Sequence, residues 1–140
     1  MQDTEYEWWL MENSQIDDCE QSWTFEDDSI DFVHLRYLLG SIRDWYNLLG
    51  QAFRCTKPGG YVESFEATPR MESDDKTVKD DSAHAQWGRL FMEGGKQIGR
   101  SFTIVDDGTQ RAAMEKAGFV NIKEKAVKVR LIIVPILASY

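Results

Sequence analysis

The stretch from Asp28 to Glu66, DSIDFVHLRYLLGSIRDWYNLLGQAFRCTKPGGYVESFE, constrains this 140-residue chain more than any other. Asp31–Leu35 is a short apolar run with a β-branched residue, bounded upstream by acidic turn residues, and reads as a strand. In Ser41–Cys55 the residues Ile42, Trp45, Tyr46, Leu48, Leu49, Ala52 and Phe53 recur at spacings of three and four, which places them on one helical face. Ser41 followed by Asp44 reads as an N-terminal capping box. Lys57-Pro58-Gly59-Gly60 stops the helix, because proline cannot continue it and glycine accepts positive φ. Tyr61–Phe65 resumes as a strand. Strand, crossover helix and strand make a βαβ unit, so the two strands are expected to run parallel. The fold class that follows is α/β.

The flanks carry weaker signals. Residues 1–15 mix four acids with Tyr6, Trp8, Trp9, Leu10 and Met11 and form a lead-in without a clear period. Residues 16–134 are expected to hold the domain, and residues 135–140 a tail. Thr68–Asp81 is polar and reads as a loop. Ser82 caps an expected helix with Ala83, Trp87, Leu90, Phe91, Gly94, Gly95 and Ile98 on one face, running to about Gly99. Asp107 or Thr109 caps a short helix over Gln110–Ala117, which Gly118 ends. Val120–Val134 reads as strand with a change of parity near Ala126-Val127, as a bulge or a break would give.

Composition narrows the function classes. A net charge of −8 opposes bulk attraction to nucleic acid and to anionic membranes, so neither is expected as a partner. Residues 1–35 hold eleven acids and no Lys or Arg. Cys19 and Cys55 stand in no metal-ligand spacing and are expected to be free thiols, with no metal site. No basic n-region precedes an apolar run at the start, and Leu131–Ala138 is too short to span a bilayer, so cytoplasm or nucleus is the expected location.

Chemistry concentrates around the first strand. In an open parallel sheet, ligands bind beyond the carboxyl ends of the strands. Asp17, Asp18 and Glu20 precede the strand, and His34 and Arg36 close it. A carboxylate there can accept hydrogen bonds from an exocyclic amine or from ribose hydroxyls, and the Cys19 N–H can donate to a ring nitrogen. The alternative is a solvated loop whose side chains cap turns. Gly94–Ser101, GGKQIGRS, approaches a phosphate-binding loop but lacks the strand before it and has Arg100 in place of the lysine. His34 and His84 have no partners in triad or metal spacing.

The ordered set IDDCEQSWTF, DDSIDFVHLRYLLGSIRDW, QAFRCTKPGGYVESFE and MEKAGFVNI resembles the class I S-adenosylmethionine-dependent methyltransferases. More narrowly it is similar to the TAM-domain group of filamentous fungi, which includes LaeA-like regulators of secondary metabolism. The resemblance covers residues 15–128. It implies a partial Rossmann-like sheet with the βαβ unit as its core, and S-adenosyl-L-methionine as cofactor. It implies that Asp31–Arg36 is the fourth strand, that Asp18 and the Cys19 backbone meet the adenine, and that Asp17, Glu20, His34 and Arg36 border the same site. Tyr61–Phe65 would be the fifth strand, with Glu66 on the substrate side. The N-terminal strands, the glycine-rich loop and the ribose-binding acid of the family are not in the sequence.

The chain is therefore expected to be the carboxyl-terminal half of such a domain, as a truncated paralogue, a splice product or an incorrect gene model would be. Low or no activity alone is expected, with an unnamed small-molecule or protein acceptor. The alternative is a non-catalytic methyltransferase remnant that acts as an interaction or dimerisation module, a homo-oligomer through an exposed sheet edge. An acidic protein-binding domain unrelated to methyl transfer ranks behind both.

Overall fold

The structure, a computed structural model, describes residues 17–128. The lead-in 1–15, Ile16 and the tail 135–140 lie outside the described residues. Five elements follow in order: β1 (Ile30–Arg36), α1 (Trp45–Cys55), β2 (Thr56–Phe65), α2 (Ala83–Ile98) and α3 (Thr109–Ala117). β1 and β2 pair in parallel, with Phe32 opposite Tyr61, His34 opposite Glu63 and Arg36 opposite Phe65. The βαβ expectation therefore holds, and among the described residues the sheet has these two strands.

A parallel pair cannot be closed by a hairpin and needs a crossover that buries one of its faces. α1 supplies it. Val33 and Leu35, at alternate positions of β1, meet Trp45, Leu48, Leu49 and Ala52 of α1. Ile42, Ile104 and Ala113 complete that core, the last bringing α3 alongside α1. Leu49 and Ala52 are fully buried, whereas Tyr46 and Phe53, counted on the same face, are 42% and 43% exposed. They sit at the border of the stripe. Phe53 packs edge-on to Phe119 after α3, and Tyr46 lies beneath the Lys116 ammonium. The indole N–H of Trp45 is buried without a hydrogen-bond partner among the described residues. Such a donor costs about 1–3 kcal/mol.

Three local expectations change. The helix starts at Trp45, not Ser41, because Asp44 is its N-cap and accepts the Asn47 N–H at 2.9 Å. A capping box needs a Glu or Gln long enough to reach back, and Asp44 instead caps forward. Ser41 belongs to the preceding turn, its N–H donating to the Leu38 carbonyl. β2 begins at Thr56, yet its pairing with β1 jumps from Ile30–Thr56 to Phe32–Tyr61. The expected Lys57–Gly60 turn is that interruption. Gly59 takes φ +85°, and a Cβ at Gly60 would stand 2.9 Å from the Asp31 carbonyl oxygen.

Residues 120–128 form no strand, against the expectation for Val120–Val134; its remainder lies outside the described residues. Alternating polarity permits a strand, but a strand needs a neighbouring edge and a surface to bury against. Val120 is 80% and Val127 65% exposed, so that segment lacks the apolar surface among the described residues. The helix around Trp87 forms as expected, with Ser82 as N-cap and Gly99 as C-cap, but its apolar face is not buried: Leu90 is 65% and Ile98 63% exposed. The glycines near the phosphate-loop-like stretch are helical or capping, and Arg100 pairs with Glu20. α3 is N-capped by Gly108, with Asp107 accepting the Thr109 N–H, and is ended by Gly118 at φ +110°. Among the described residues no helix is long and apolar enough to cross a membrane.

Leu49→Ala should lower unfolding free energy by about 2–5 kcal/mol in urea titrations, while Val120→Ala stays within about 0.5 kcal/mol. Trp45→Phe should destabilise less than Leu49→Ala, because it removes the orphaned donor along with the lost ring area. Equal losses at Leu49 and Val120 would contradict this core.

Candidate functional site

α1 positions the acidic loop. Gln51 accepts the Trp23 N–H and donates to the Gln21 carbonyl at 2.7 Å. Arg54 donates to the carbonyls of Trp23 and Phe25 and to the Asp27 carboxylate. Asp28 and Ser29 donate backbone N–H groups to the carbonyls of Arg54 and Cys55. Two side chains and the end of one helix thus strap residues 21–29 along α1. Glu20 fastens the loop at its other end. Its carboxylate accepts the Arg43 N–H at 2.6 Å and pairs with Arg100 at 3.2 Å, both side chains largely buried.

Within this frame Asp17–Glu20 form a turn. Asp18 accepts the Glu20 N–H at 3.0 Å, its carbonyl accepts the Gln21 N–H, and Asp17 accepts the Asp18 N–H. The Asp18 side chain is exposed, with its Oδ1 engaged by the Glu20 N–H. The Cys19 carbonyl accepts the Trp23 indole N–H at 3.1 Å. Partial burial, and then the neighbouring Asp18 charge, raise the Cys19 thiol above its usual range. Burial likewise raises Cys55. Both remain thiols at neutral pH and are poor nucleophiles.

His34 and Arg36 lie elsewhere. The loop is strapped to α1, which covers the Val33–Leu35 face, whereas His34 and Arg36 project from the opposite face of the sheet. His34 Nδ1 lies 2.9 Å from Glu63 across the strands. The Arg36 guanidinium lies over the rings of Tyr37 and Phe65, at 5.2 and 5.7 Å. Asp17, Asp18, Cys19 and Glu20 are therefore brought together, and His34 and Arg36 are not brought to them.

The turn after β1 depends on a residue read differently in sequence. Glu66, expected to face substrate, accepts the Leu38 and Leu39 N–H groups at 2.8 and 2.9 Å. It ties the carboxyl ends of both strands, next to Tyr37 at φ +52°. Burial raises its pKa, and the two N–H groups only partly offset that. Neither Glu66 nor Arg100 could be found by local spacing, since their partners lie 28 and 80 positions away. A polar depression of about 230 Å³ lies beside the loop, lined by Glu20, Gln21, Arg43, Asp44 and Asn47.

The donor set bears on an adenosyl cofactor. The exposed Asp18 carboxylate suits an exocyclic amine. Glu20 is committed to Arg43 and Arg100, and the described residues hold no glycine-rich cradle for an amino-acid end. Among the described residues of the turn, the exposed Asp18 carboxylate is the group whose chemistry suits the adenine end, and the polar depression is lined by its neighbours Glu20 and Gln21.

A family model described as a methyltransferase domain matches residues 6–124. The chain is 32% identical over 114 residues to the methyltransferase pytC of Aspergillus terreus, covering 81% of this chain and 34% of that protein. It is 36% identical over 118 residues to the secondary metabolism regulator LAE1 of Hypocrea atroviridis, covering 81% and 33%. It is 35% identical over 104 residues to the probable methyltransferase tdiE of Emericella nidulans, covering 74% and 32%. The chain thus spans about a third of the length of these curated relatives. No solved structure matches it.

Glu66 gives a pH signature. Its folded pKa lies above the ordinary 4.5, so the folded chain holds the proton more tightly than the unfolded one. Its contribution is complete at lower pH and is lost as pH rises through the raised value. Glu66→Gln mimics the neutral acid. Between about pH 4 and pH 7 the wild type should lose stability relative to Glu66→Gln in urea titrations. A difference that is flat, or that grows in favour of the wild type, contradicts the burial.

Proposed function

The chain belongs to the methyltransferase-domain family, and from that premise we propose that it carries the adenine-binding side of an S-adenosylmethionine-dependent methyltransferase. The observation that supports this reading is the Asp17–Glu20 turn, which Glu20 fastens to Arg43 and Arg100 and which continues into residues 21–29, strapped to α1 by Gln51 and Arg54, while the Asp18 carboxylate stays exposed. In this reading Asp18 accepts the adenine amine and the Cys19 backbone meets the ring. When bound, the cofactor supplies the electrophilic methyl group. The chain's part is to hold the adenosyl end so that the sulfonium can face an acceptor, a positioning role. Arg43, Asp44 and Asn47, around the start of α1, line the neighbouring polar depression with Glu20 and Gln21.

Since, among the described residues of the turn, the group that suits the cofactor serves its adenine end, binding by this chain alone is weak and methyl transfer slow or absent. Titration calorimetry with S-adenosylhomocysteine should show saturable binding with a Kd in the range of about a millimolar, roughly 4 kcal/mol. Asp18→Ala should remove it without lowering the melting temperature by more than a few degrees. No heat and no thermal shift at millimolar ligand would overturn the binding claim. Binding that survives Asp18→Ala would place the adenine elsewhere.

A second reading, a non-catalytic interaction module, is favoured by one observation. One face of the sheet, with Phe32 and Tyr61 at 55% and 75% exposure, has no cover among the described residues.

A further inference from the structure

Parallel sheets are found with both faces covered. Here α1 covers one face of the β1–β2 pair, and the other presents Phe32 and Tyr61, then the mutually paired His34 and Glu63, then Phe65 beneath Arg36 at its carboxyl end. Among the described residues one helix face also lacks a seat. Ala83, Trp87, Leu90, Gly94 and Ile98 follow one another at intervals of three and four along α2. Trp87, Leu90 and Ile98 are all more than half exposed, and a Cβ at Gly94 would meet nothing within 4 Å. α2 is held from its other side. Gly88 lies against the Pro69 carbonyl, and Gly95 against Arg100 and Phe102. The main element pairs are β1 with β2, α1 with α3 and α1 with β2, and α2 enters none of them.

We propose that two copies of this chain associate by exchanging these surfaces, α2 of each docking on the open sheet face of the other. Three features select a second copy as the occupant. The lengths match: 16 residues of helix extend about 24 Å, and the seven residues of β1 extend about 23 Å. The charges complement: Arg36 borders the sheet face and Glu93 borders the helix stripe, and neither has an ion-pair partner among the described residues. The area suffices: Phe32, Tyr61, Phe65 and Trp87, used twice in a reciprocal two-fold contact together with Leu90 and Ile98, offer on the order of 1,000 Å², the threshold of a specific interface. Gly94, in the middle of the stripe, lets the helix approach the strands closely. The cavity of about 250 Å³ lined by Met71, Ala83, His84 and Trp87 opens at the amino end of the same stripe and can receive an aromatic ring of the second copy. This places association on the face of the sheet and leaves its edges free.

Sedimentation equilibrium on the full chain tests the exchange. A reversible dimer is expected at micromolar concentration. Arg36→Glu and Glu93→Arg should each weaken it about tenfold or more, and the double variant should restore it to within about threefold of the wild type. Gly94→Arg has room in the monomer and should leave its circular dichroism helical, yet abolish the dimer. A chain that stays monomeric to about 100 µM overturns the proposal. A dimer indifferent to Gly94→Arg overturns it in favour of edge pairing. Two single charge variants that weaken the dimer without mutual rescue overturn the assigned pair.

Discussion

The packing of α1 on Val33 and Leu35 is the interaction the rest of the structure depends on. A two-stranded parallel sheet has no hairpin to hold it and few hydrogen bonds of its own. Leu48, Leu49 and Ala52 give it a buried face, each large side chain contributing about 1.5–3 kcal/mol of burial. Everything with functional meaning is then referenced to α1. Its start carries Asp44 as cap and sits beside the polar depression. Its outer side chains Gln51 and Arg54 hold the loop that leads back to Asp18. Its last carbonyls bond the residues that enter β1.

The same arrangement separates two chemistries that look adjacent in sequence. Asp18 and His34 are 16 positions apart, but the loop runs on the helix side and His34 on the open side. That separation follows from the period of a strand. Val33 and Leu35 must face α1, so His34 and Arg36 must face away. The open face is thus a consequence of the core, and its aromatic residues are what α1 cannot cover. The relatives, of which this chain spans about a third, include methyltransferases by name and regulators of secondary metabolism.

The βαβ unit, α2 and α3 were all legible in the sequence because each is local. Leu48, Leu49 and Ala52 repeat at helical spacing, Ser82 caps α2, and Gly118 ends α3 where a positive φ is required. What was not legible is what distance in sequence hides. Nothing near Glu66 announces that it will take the N–H groups of Leu38 and Leu39, and nothing near Arg100 points to Glu20. The stripe of α2 was visible, but periodicity says only that a face is apolar, not that the chain buries it. The strand expected over residues 120–128 failed for the same reason: alternation is a property of the segment, pairing a property of its neighbours. Of the candidate site, the clustering of Asp17 to Glu20 could be read from contiguity alone, whereas the placement of His34 and Arg36 on the face away from α1 required knowing which parity of β1 meets α1.

Native-state hydrogen exchange on the full chain tests most directly whether α1 and its two strands are the cooperative core on which the rest hangs. The amides of Leu48, Leu49, Ala52, Val33 and Leu35 should exchange slowest and together, through global unfolding, while α2 amides exchange through smaller openings. Slow exchange in α2 with unprotected amides in β1 would contradict the account.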